Sequence, residues 1–360
     1  MIVRDAALVP TMGPPAETAG TGRRAAPADG AAAPATAERP TTTAPVHVRE
    51  REPERRSDPA GAGGNRPALG RVAVVIPTRD AGPAFAHLCG HLALVRERYD
   101  LDVLVIDSGS TDGTPERAER AGLRVHRIPP AEFGHGRTRN LGVRLTTGDV
   151  VCFLTQDVLP CTPDWPERFA AALAEPGVAG VYGRQVPRDA STMEMFFVSL
   201  NYPPEPLRFW PRPGGHHPRP GRVLFSNAFS AVRREIAIGL PFVDDAPVSE
   251  DQIWAHQVLA AGYGIRYEPA AEALHAHRYT VRGLFRRTYL VGRALRSIGL
   301  DGGASLAESA RFLGAELRYF VRQGHLHRLP ELLAYELVRW AGFQVGRRVG
   351  AAVPSGRRGW

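Results

Sequence analysis

Three short apolar runs, "VAVVIP" at 72–77, "LDVLVID" at 101–107 and "DVVCFLTQD" at 149–157, close on Pro or break off into polar residues. Continuous runs of this length, rich in β-branched residues, suit strands covered on both faces; a strand with one wet face would alternate apolar and polar positions. Between them lie stretches with helical punctuation. "PAFAHLCGHLALVRER" follows the first run, and "SGSTDGTPERAERAGL" follows the second, with Thr114 placed as an N-cap and Pro115 at N1. "LRVHRIP" adds a further strand, and "GRTRNLGVRLTTG" reads as a helix with Gly148 as its stop. Strand and helix in this alternation predict an α/β fold with a mostly parallel central sheet, in which ligands bind at the carboxyl ends of the strands.

Three of the strand ends are polar: Pro77-Thr78-Arg79, Asp107-Ser108-Gly109-Ser110 and Thr155-Gln156-Asp157. All would converge on one edge of the sheet. A turn leading into a capped helix accounts for Ser110, Thr111, Asp112 and Thr114 as well as a binding loop does. It does not account for Asp107, an acid at the tip of a buried strand. Asp157 taken alone reads as a turn ahead of "PCTPDWPERF"; three coincident polar ends weigh toward a site.

The formal charge of +8 and pI near 9.9, with arginine far outnumbering lysine, admit diphosphates, phospholipid headgroups and nucleic acid as partners. The basic residues are dispersed through the helices, and no helix-turn-helix, RNP-like or zinc-finger pattern is present, which argues against a nucleic-acid-binding module. Cys89, Cys152 and Cys161 lack CxxC spacing and read as small buried residues in a reducing compartment. No segment reaches the ~18 consecutive apolar residues of a membrane span, and the amino terminus lacks the apolar core of a signal peptide, so a cytoplasmic location is expected. Residues 1–68 hold ten prolines and no Phe, Tyr or Trp, a composition expected to leave them disordered.

"VVIPTRD", "VLVIDSGSTDGT", "FGHGRTRNLG", "FLTQDVLP" and "SEDQIWAHQVLAAGYGIRYEP", in that order, resemble a family 2 glycosyltransferase of the GT-A (nucleotide-diphospho-sugar transferase) fold, and within it the rhamnosyltransferase-like subgroup. The resemblance covers about Val72 to Thr280. It implies a catalytic domain over 69–280, with a nucleotide-sugar half at 69–160 and an acceptor half at 161–280. The implied reaction moves a sugar, L-rhamnose from dTDP-L-rhamnose, to a hydroxyl of a saccharide or lipid-linked acceptor with inversion, as in cell-surface polysaccharide biosynthesis. A divalent cation, Mg²⁺ or Mn²⁺, would neutralise the departing diphosphate.

Residue by residue, the resemblance places Asp157 on the metal, as the one acid of a DxD-type motif that reads Thr155-Gln156-Asp157 here. His277 or His275, in "HAHRYT", is implied as a second ligand, with Arg278 on phosphate. Pro77, Thr78, Arg79, Asp107, Ser108, Ser110, Arg139, Asn140 and Gln156 are implied on the nucleotide sugar, Arg139 as a planar donor fork and Asp107 as an acceptor for base or ribose, with His135 beside them. In "VSEDQIWAHQVLAAGYG", Ser249 is a plausible N-cap; Glu250 and Asp251 in the first turn would favour the helix dipole whatever their role. The resemblance makes Asp251 the general base, ionised at neutral pH, and puts Glu250, Asn227 and Trp254 on the acceptor side, with Phe229 near the sugar. A sugar nucleotidyltransferase would share the sheet but would want a basic Gly-rich loop where "IPTRDAGPAF" stands. A glycoside hydrolase would not need the nucleotide-side residues.

Past residue 280 the chain reads as basic amphipathic helices over 281–350, with arginines off the apolar faces. They either pack on the catalytic domain or form a platform for a membrane surface at its cytoplasmic side.

Overall fold

The computed structural model describes residues 71–187, 192–211, 223–275, 279–297 and 306–349. The expected tail 1–68 lies outside the described residues, as do His277 and Arg278.

The apolar runs form strands as expected. β1 (Val72–Thr78), β2 (Leu101–Asp107), β3 (Arg124–Arg127) and β4 (Val150–Leu154) are parallel, with β1 between β2 and β4 and Val72 beside both Leu101 and Val150. This register brings Thr78 level with Asp107. The second half is mixed: β5 (Leu159–Pro160), β6 (Val178–Val186), β7 (Leu207–Phe209), β8 (Phe229–Arg233) and β9 (Gly264–Leu274) extend the sheet in the order β3-β2-β1-β4-β8-β6-β9-β5, with β7 also on β9. β8 enters antiparallel to β4, and β6 and β9 run parallel to each other.

Helices cover both faces. α1 (Phe85–Arg98), α2 (Thr114–Arg120) and α4 (Trp165–Leu173) lie over one core built on Phe85, Leu92, Trp165 and Phe169; α3 (His135–Leu145), α6 (Arg234–Gly239) and α7 (Glu250–Ala260) lie over the other, built on Val143, Phe242, Trp254 and Val258. α3 presses so closely on β1 that a Cβ on Gly142 would sit 2.3 Å from Val75 Cγ1. After α5 (Thr192–Asn201) and the strands come α8 (Val281–Ser297), α9 (Leu306–Arg322) and α10 (Leu329–Val349).

α8 packs through Val291, Ala294 and Leu295 against Val248, the residue two before α7. α8 and α10 approach through glycines: a Cβ on Gly292 would meet the Phe343 carbonyl at 2.3 Å, and one on Gly346 the Tyr289 carbonyl at 2.0 Å. Two local expectations fail. Gly113, in the left-handed region at φ 81°, takes the N-cap position of α2, because the Thr114 hydroxyl is already occupied, accepting from Ala81 N and donating to Asp112. Cys161 is exposed, whereas Cys89 and Cys152 are buried as read, because Cys161 follows the two-residue strand β5.

Candidate active site at the strand ends

The loops leaving β1 and β2 are stitched together. Asp107 accepts at one oxygen from the amides of Gly109 (3.1 Å) and Ser110 (3.0 Å), and at the other from the hydroxyls of Thr78 (3.1 Å) and Ser110. A carboxylate has about four acceptor positions, and all are in use. Asp107 is therefore not presented as the open acceptor for base or ribose that the resemblance implied; it shapes the loop that lies beneath. Ser108 is fully buried and gives both its amide and its hydroxyl to the Thr78 carbonyl, each at 2.9 Å. Asp80, at φ 44°, accepts from Thr111 N (2.7 Å), and Ser110 Oγ accepts from Asp80 N (2.8 Å). Pro77, Arg79, Asp80, Gly109, Ser110 and Thr111 keep accessible surface in this lattice.

β4 delivers the third polar end beside them. Gln156 is held across the gap by a reciprocal pair, Arg79 N to its Oε1 (2.8 Å) and its Nε2 to Arg79 O (3.1 Å). Asp157 follows, one-third exposed, with Oδ1 3.5 Å from Nε2 of buried His275 at the end of β9. Nδ1 of His275 lies 2.8 Å from Gln185 Oε1 on β6. An amide oxygen can only accept, so Nδ1 donates in that contact, and in the neutral ring the Nε2 lone pair then faces Asp157. Two acceptors facing one another suit a shared cation. Among the described residues no group of three or more His, Cys, Asp or Glu is placed to hold a metal, so these residues offer a cation here two ligands, Asp157 and His275.

On the other side of the same edge, α7 opens with two buried acids. Ser249 stands at the N-cap position as expected, but in the left-handed region at φ 67° and with no capping bond from its hydroxyl. Capping falls to Asp251, whose Oδ1 accepts from Gln252 N (2.8 Å) while Oδ2 accepts from Asn227 N (3.2 Å). Glu250 pairs with Arg139 Nη1 at 2.8 Å, both side chains shut from water. Burial works against the Glu250 charge, but Arg139 first and His135 next hold its carboxyl below the usual range. Burial pushes Asp251 the opposite way, up to about 7, and the Glu250 charge adds to the rise while Arg139 opposes it. Two neighbouring carboxyls forced apart in pKa make one a fixed charge and the other a proton acceptor near neutrality. Asp251, expected to be ionised at neutral pH, is instead only partly so there.

Arg139 is committed to Glu250 and to the His135 carbonyl (3.0 Å), and is not displayed as a fork for phosphate. Asn140 likewise turns away from the donor side: its amide exchanges bonds with Phe242 O (2.8 Å) and Phe242 N (3.0 Å) and reaches Asp244 (2.9 Å). Together they moor α3 to α7 and to the segment at Phe242 and Asp244. Burial pushes half-buried His135 down to about 4, with Arg139 and Arg287 adding to the fall against Glu250. Asn227, expected on the acceptor side, is buried and carries the acids instead, its Nδ2 reaching Glu250 (3.4 Å). Trp254 is core, fully buried between Phe225 and Phe242 with Nε1 on the Leu240 carbonyl (2.8 Å), and Phe229 is core beside Trp165 and Phe169. Neither lines an acceptor surface. "YGRQVP" reads from the sequence as part of the acceptor wall, whereas its Gln185 supports His275; Arg287 was missed, because the basic pattern of α8 carries no signal of what it faces.

A short bridge joins the two sides. Thr155 N donates to the Ala228 carbonyl (3.1 Å), and Asn227 N donates to Asp251, so Asp251 and the turn that carries Asp157 are joined through the two residues Asn227 and Ala228.

Residues 73–239 match the family described as Glycosyl transferase family 2. The chain carries a family 2 glycosyltransferase domain. Across 288 residues, 77% of this chain and 90% of the relative, it is 28% identical to the O-antigen chain rhamnosyltransferase RfbN of Salmonella typhimurium. With WbaN of Salmonella anatum, also an O-antigen chain rhamnosyltransferase, identity is 29% over 76% of this chain and 88% of the relative. Among solved structures, the mannosyltransferase PcManGT of Pyrobaculum calidifontis, in complex with GDP-Man and Mn²⁺, superimposes with a TM-score of 0.52 at 21% identity, over 78% of this chain and 85% of that one. The likeness shows the GT-A fold for the transferase domain. Among the described residues, no helix is long and apolar enough to cross a membrane.

Proposed function

We propose that the protein is an inverting transferase that moves L-rhamnose from dTDP-L-rhamnose to a hydroxyl of a saccharide or lipid-linked acceptor, at the cytoplasmic face of a membrane, in the building of a cell-surface polysaccharide. The observation that carries the reading is the gathering, at one sheet edge, of the Asp157–His275 pair and the Glu250–Asp251 pair. The rhamnosyltransferase relatives, similar over most of their length, supply the sugar.

Asp157 and His275 would hold Mg²⁺ or Mn²⁺, a site that suits a hard cation completing its shell with water and the donor's phosphates. When bound, the cation supplies charge neutralisation for the departing diphosphate. The chain's own residues do the rest. Pro77, Arg79, Ser110 and Gln156 line the nucleotide side, held by the lattice on Asp107 and Thr78. Asp251 accepts the proton of the acceptor hydroxyl as that oxygen attacks opposite the leaving group, and its raised pKa suits a base at neutral pH. Glu250, fixed by Arg139, keeps Asp251 basic. Arg139 holds Glu250 of α7 in place, and Asn140 holds the segment at Phe242 and Asp244 that precedes it.

A thermal-shift panel of nucleoside diphosphates, with and without Mg²⁺ or Mn²⁺, tests the reading, because a ligand that binds the folded state raises its melting temperature. dTDP with metal is expected to give the largest shift. Equal or reversed ranking against UDP and GDP would remove dTDP-rhamnose as the donor.

A further inference from the structure

α10 is turned inside out. Its charged residues Glu336 and Arg339 point inward, 14% and 20% exposed, ion-paired with each other. Arg339 stacks over Phe312 of α9 at 5.0 Å, and Glu316 of α9, 2% exposed, faces the same charges. Meanwhile Leu333, Leu337 and Trp340 are 47%, 64% and 53% exposed. Their spacing of four and then three puts them on one side of the helix. Pro330 and Ala334 are exposed as well, so no charged side chain interrupts this side between Glu331 and the arginines at 347 and 348. Single exposed apolar residues are ordinary; a contiguous apolar side on a helix whose charges are folded inward is not.

The opposite side of α10 is already occupied. Gly342 and Gly346 lie against α8, where added Cβ atoms would strike the carbonyls of Phe285 and Tyr289, and Leu332 is fully buried. The apolar side therefore cannot turn inward without breaking the helix pair. Near one end of the stripe Val321 and Leu326 are also exposed, at 56% and 58%, together with Arg322; at the other end Arg348 is exposed. Residues 281–350 carry twelve arginines against five acids, nearly the whole excess charge of the chain.

We infer that the Leu333-Leu337-Trp340 side of α10 docks on an anionic phospholipid surface, lying in the headgroup region with the flanking arginines on phosphate. The charge decides the occupant. A second copy of this chain would bring two strongly cationic regions together, whereas an anionic bilayer complements them and takes up the apolar side chains as well. A half-exposed tryptophan with one polar edge suits that boundary. The inference deepens the proposed placement at a membrane and rests on that reading for its biological sense alone. Vesicle binding is measured without donor or acceptor, so failure of either reading leaves the other standing.

The test is co-sedimentation of the full chain with phosphatidylcholine vesicles, with and without phosphatidylglycerol, at low and high salt. Wild type is expected to bind only the anionic vesicles, more weakly at high salt. L337S/W340S should weaken that binding about tenfold or more, since burial of these side chains supplies much of the attachment, with the circular dichroism spectrum and melting temperature unchanged because both positions are exposed. R322Q/R348Q should bind less and lose part of the salt dependence. Tryptophan fluorescence should shift to the blue on binding and do so less in W340F. Absence of binding to anionic vesicles overturns the inference, as does binding that L337S/W340S leaves intact. Concentration-dependent dimers in lipid-free solution that L337S/W340S abolishes would give the surface to a second copy and overturn it too.

Discussion

Replacing Asp251 by asparagine is expected to stabilise the protein above neutral pH and to do little at acid pH, although the same change removes the proposed base. Both carboxyl oxygens accept a main-chain N–H, from Gln252 and Asn227. Asparagine keeps one of these bonds and turns its amino group on the other donor, a loss of about 1–2 kcal/mol at every pH. Against this stands the cost of the charge. Asp251 releases its proton near pH 7 in the folded protein and near its ordinary 3.8 in the unfolded chain. Between those values the folded state retains a proton that the unfolded chain has lost, so stability falls by about 1.4 kcal/mol for each pH unit, and above pH 7 it falls no further. From about pH 5 to about pH 8 the wild type should therefore lose about 3 kcal/mol that the variant keeps. Glu250, held below its usual range, stays ionised in both states across that interval, and the titration of His135 is common to both proteins and cancels in the comparison. The variant should match wild type near pH 5 and exceed it by about 2–3 kcal/mol near pH 8. Urea unfolding followed by the fluorescence of buried Trp165 and Trp254 reads this directly. A stability difference that stays constant from pH 5 to pH 8 would mean that Asp251 is ionised throughout, and the account of the paired acids would be wrong.

Asp157→Asn should weaken metal-dependent binding of dTDP in calorimetry while Asp251→Asn leaves it nearly unchanged, because a neutral amide is a poor ligand for a hard cation; the reverse pattern would exchange the two roles. The pH profile of kcat/KM should fall about tenfold per unit below about pH 7, where the Asp251 carboxyl of the free enzyme takes up its proton; a profile flat down to pH 5 would exclude that group as the base. Arg139→Met strands the buried Glu250 charge and should cost about 3–5 kcal/mol by urea unfolding, with the R139M/E250M double variant recovering much of it. Gly142→Ala drives a methyl group into Val75 and should cost about 1–3 kcal/mol by the same measurement, wild-type stability being the outcome that denies the close packing of α3 on β1.

The parallel half of the sheet was legible because its signal is local. A continuous β-branched run such as 72–77 says buried strand wherever it occurs, and the polar residues that end it mark the open edge. The acids of α7 were legible only through resemblance, since first-turn carboxylates occur on many helices. What stayed hidden depends on partners far apart in sequence. Nothing in "GRTRN" distinguishes an arginine open to phosphate from one that closes on Glu250, 111 positions away. Trp254 sits in a helix buried on nearly all sides, so its spacing gives no clue to which neighbours enclose it. The arginines of the carboxy-terminal region were read as lying off the apolar faces, yet Arg339 turns inward because Glu336 and Glu316 await it there. His277 was named as the second ligand with His275 as its alternative, and the bond that orients the His275 ring goes to Gln185, 90 positions away.

The glycine-lined contact of α8 with α10 reaches further than packing. Where two backbones touch without intervening side chains, the pair moves as one piece, and α8 is fastened at Val248, beside the acids of α7. A footing on a surface would then fix the height and tilt at which the strand-end edge is held above it. A change far from the chemistry, such as a bulkier residue at Gly292 or Gly346, would alter which acceptors arrive in line with Asp251 without touching any group that handles the sugar.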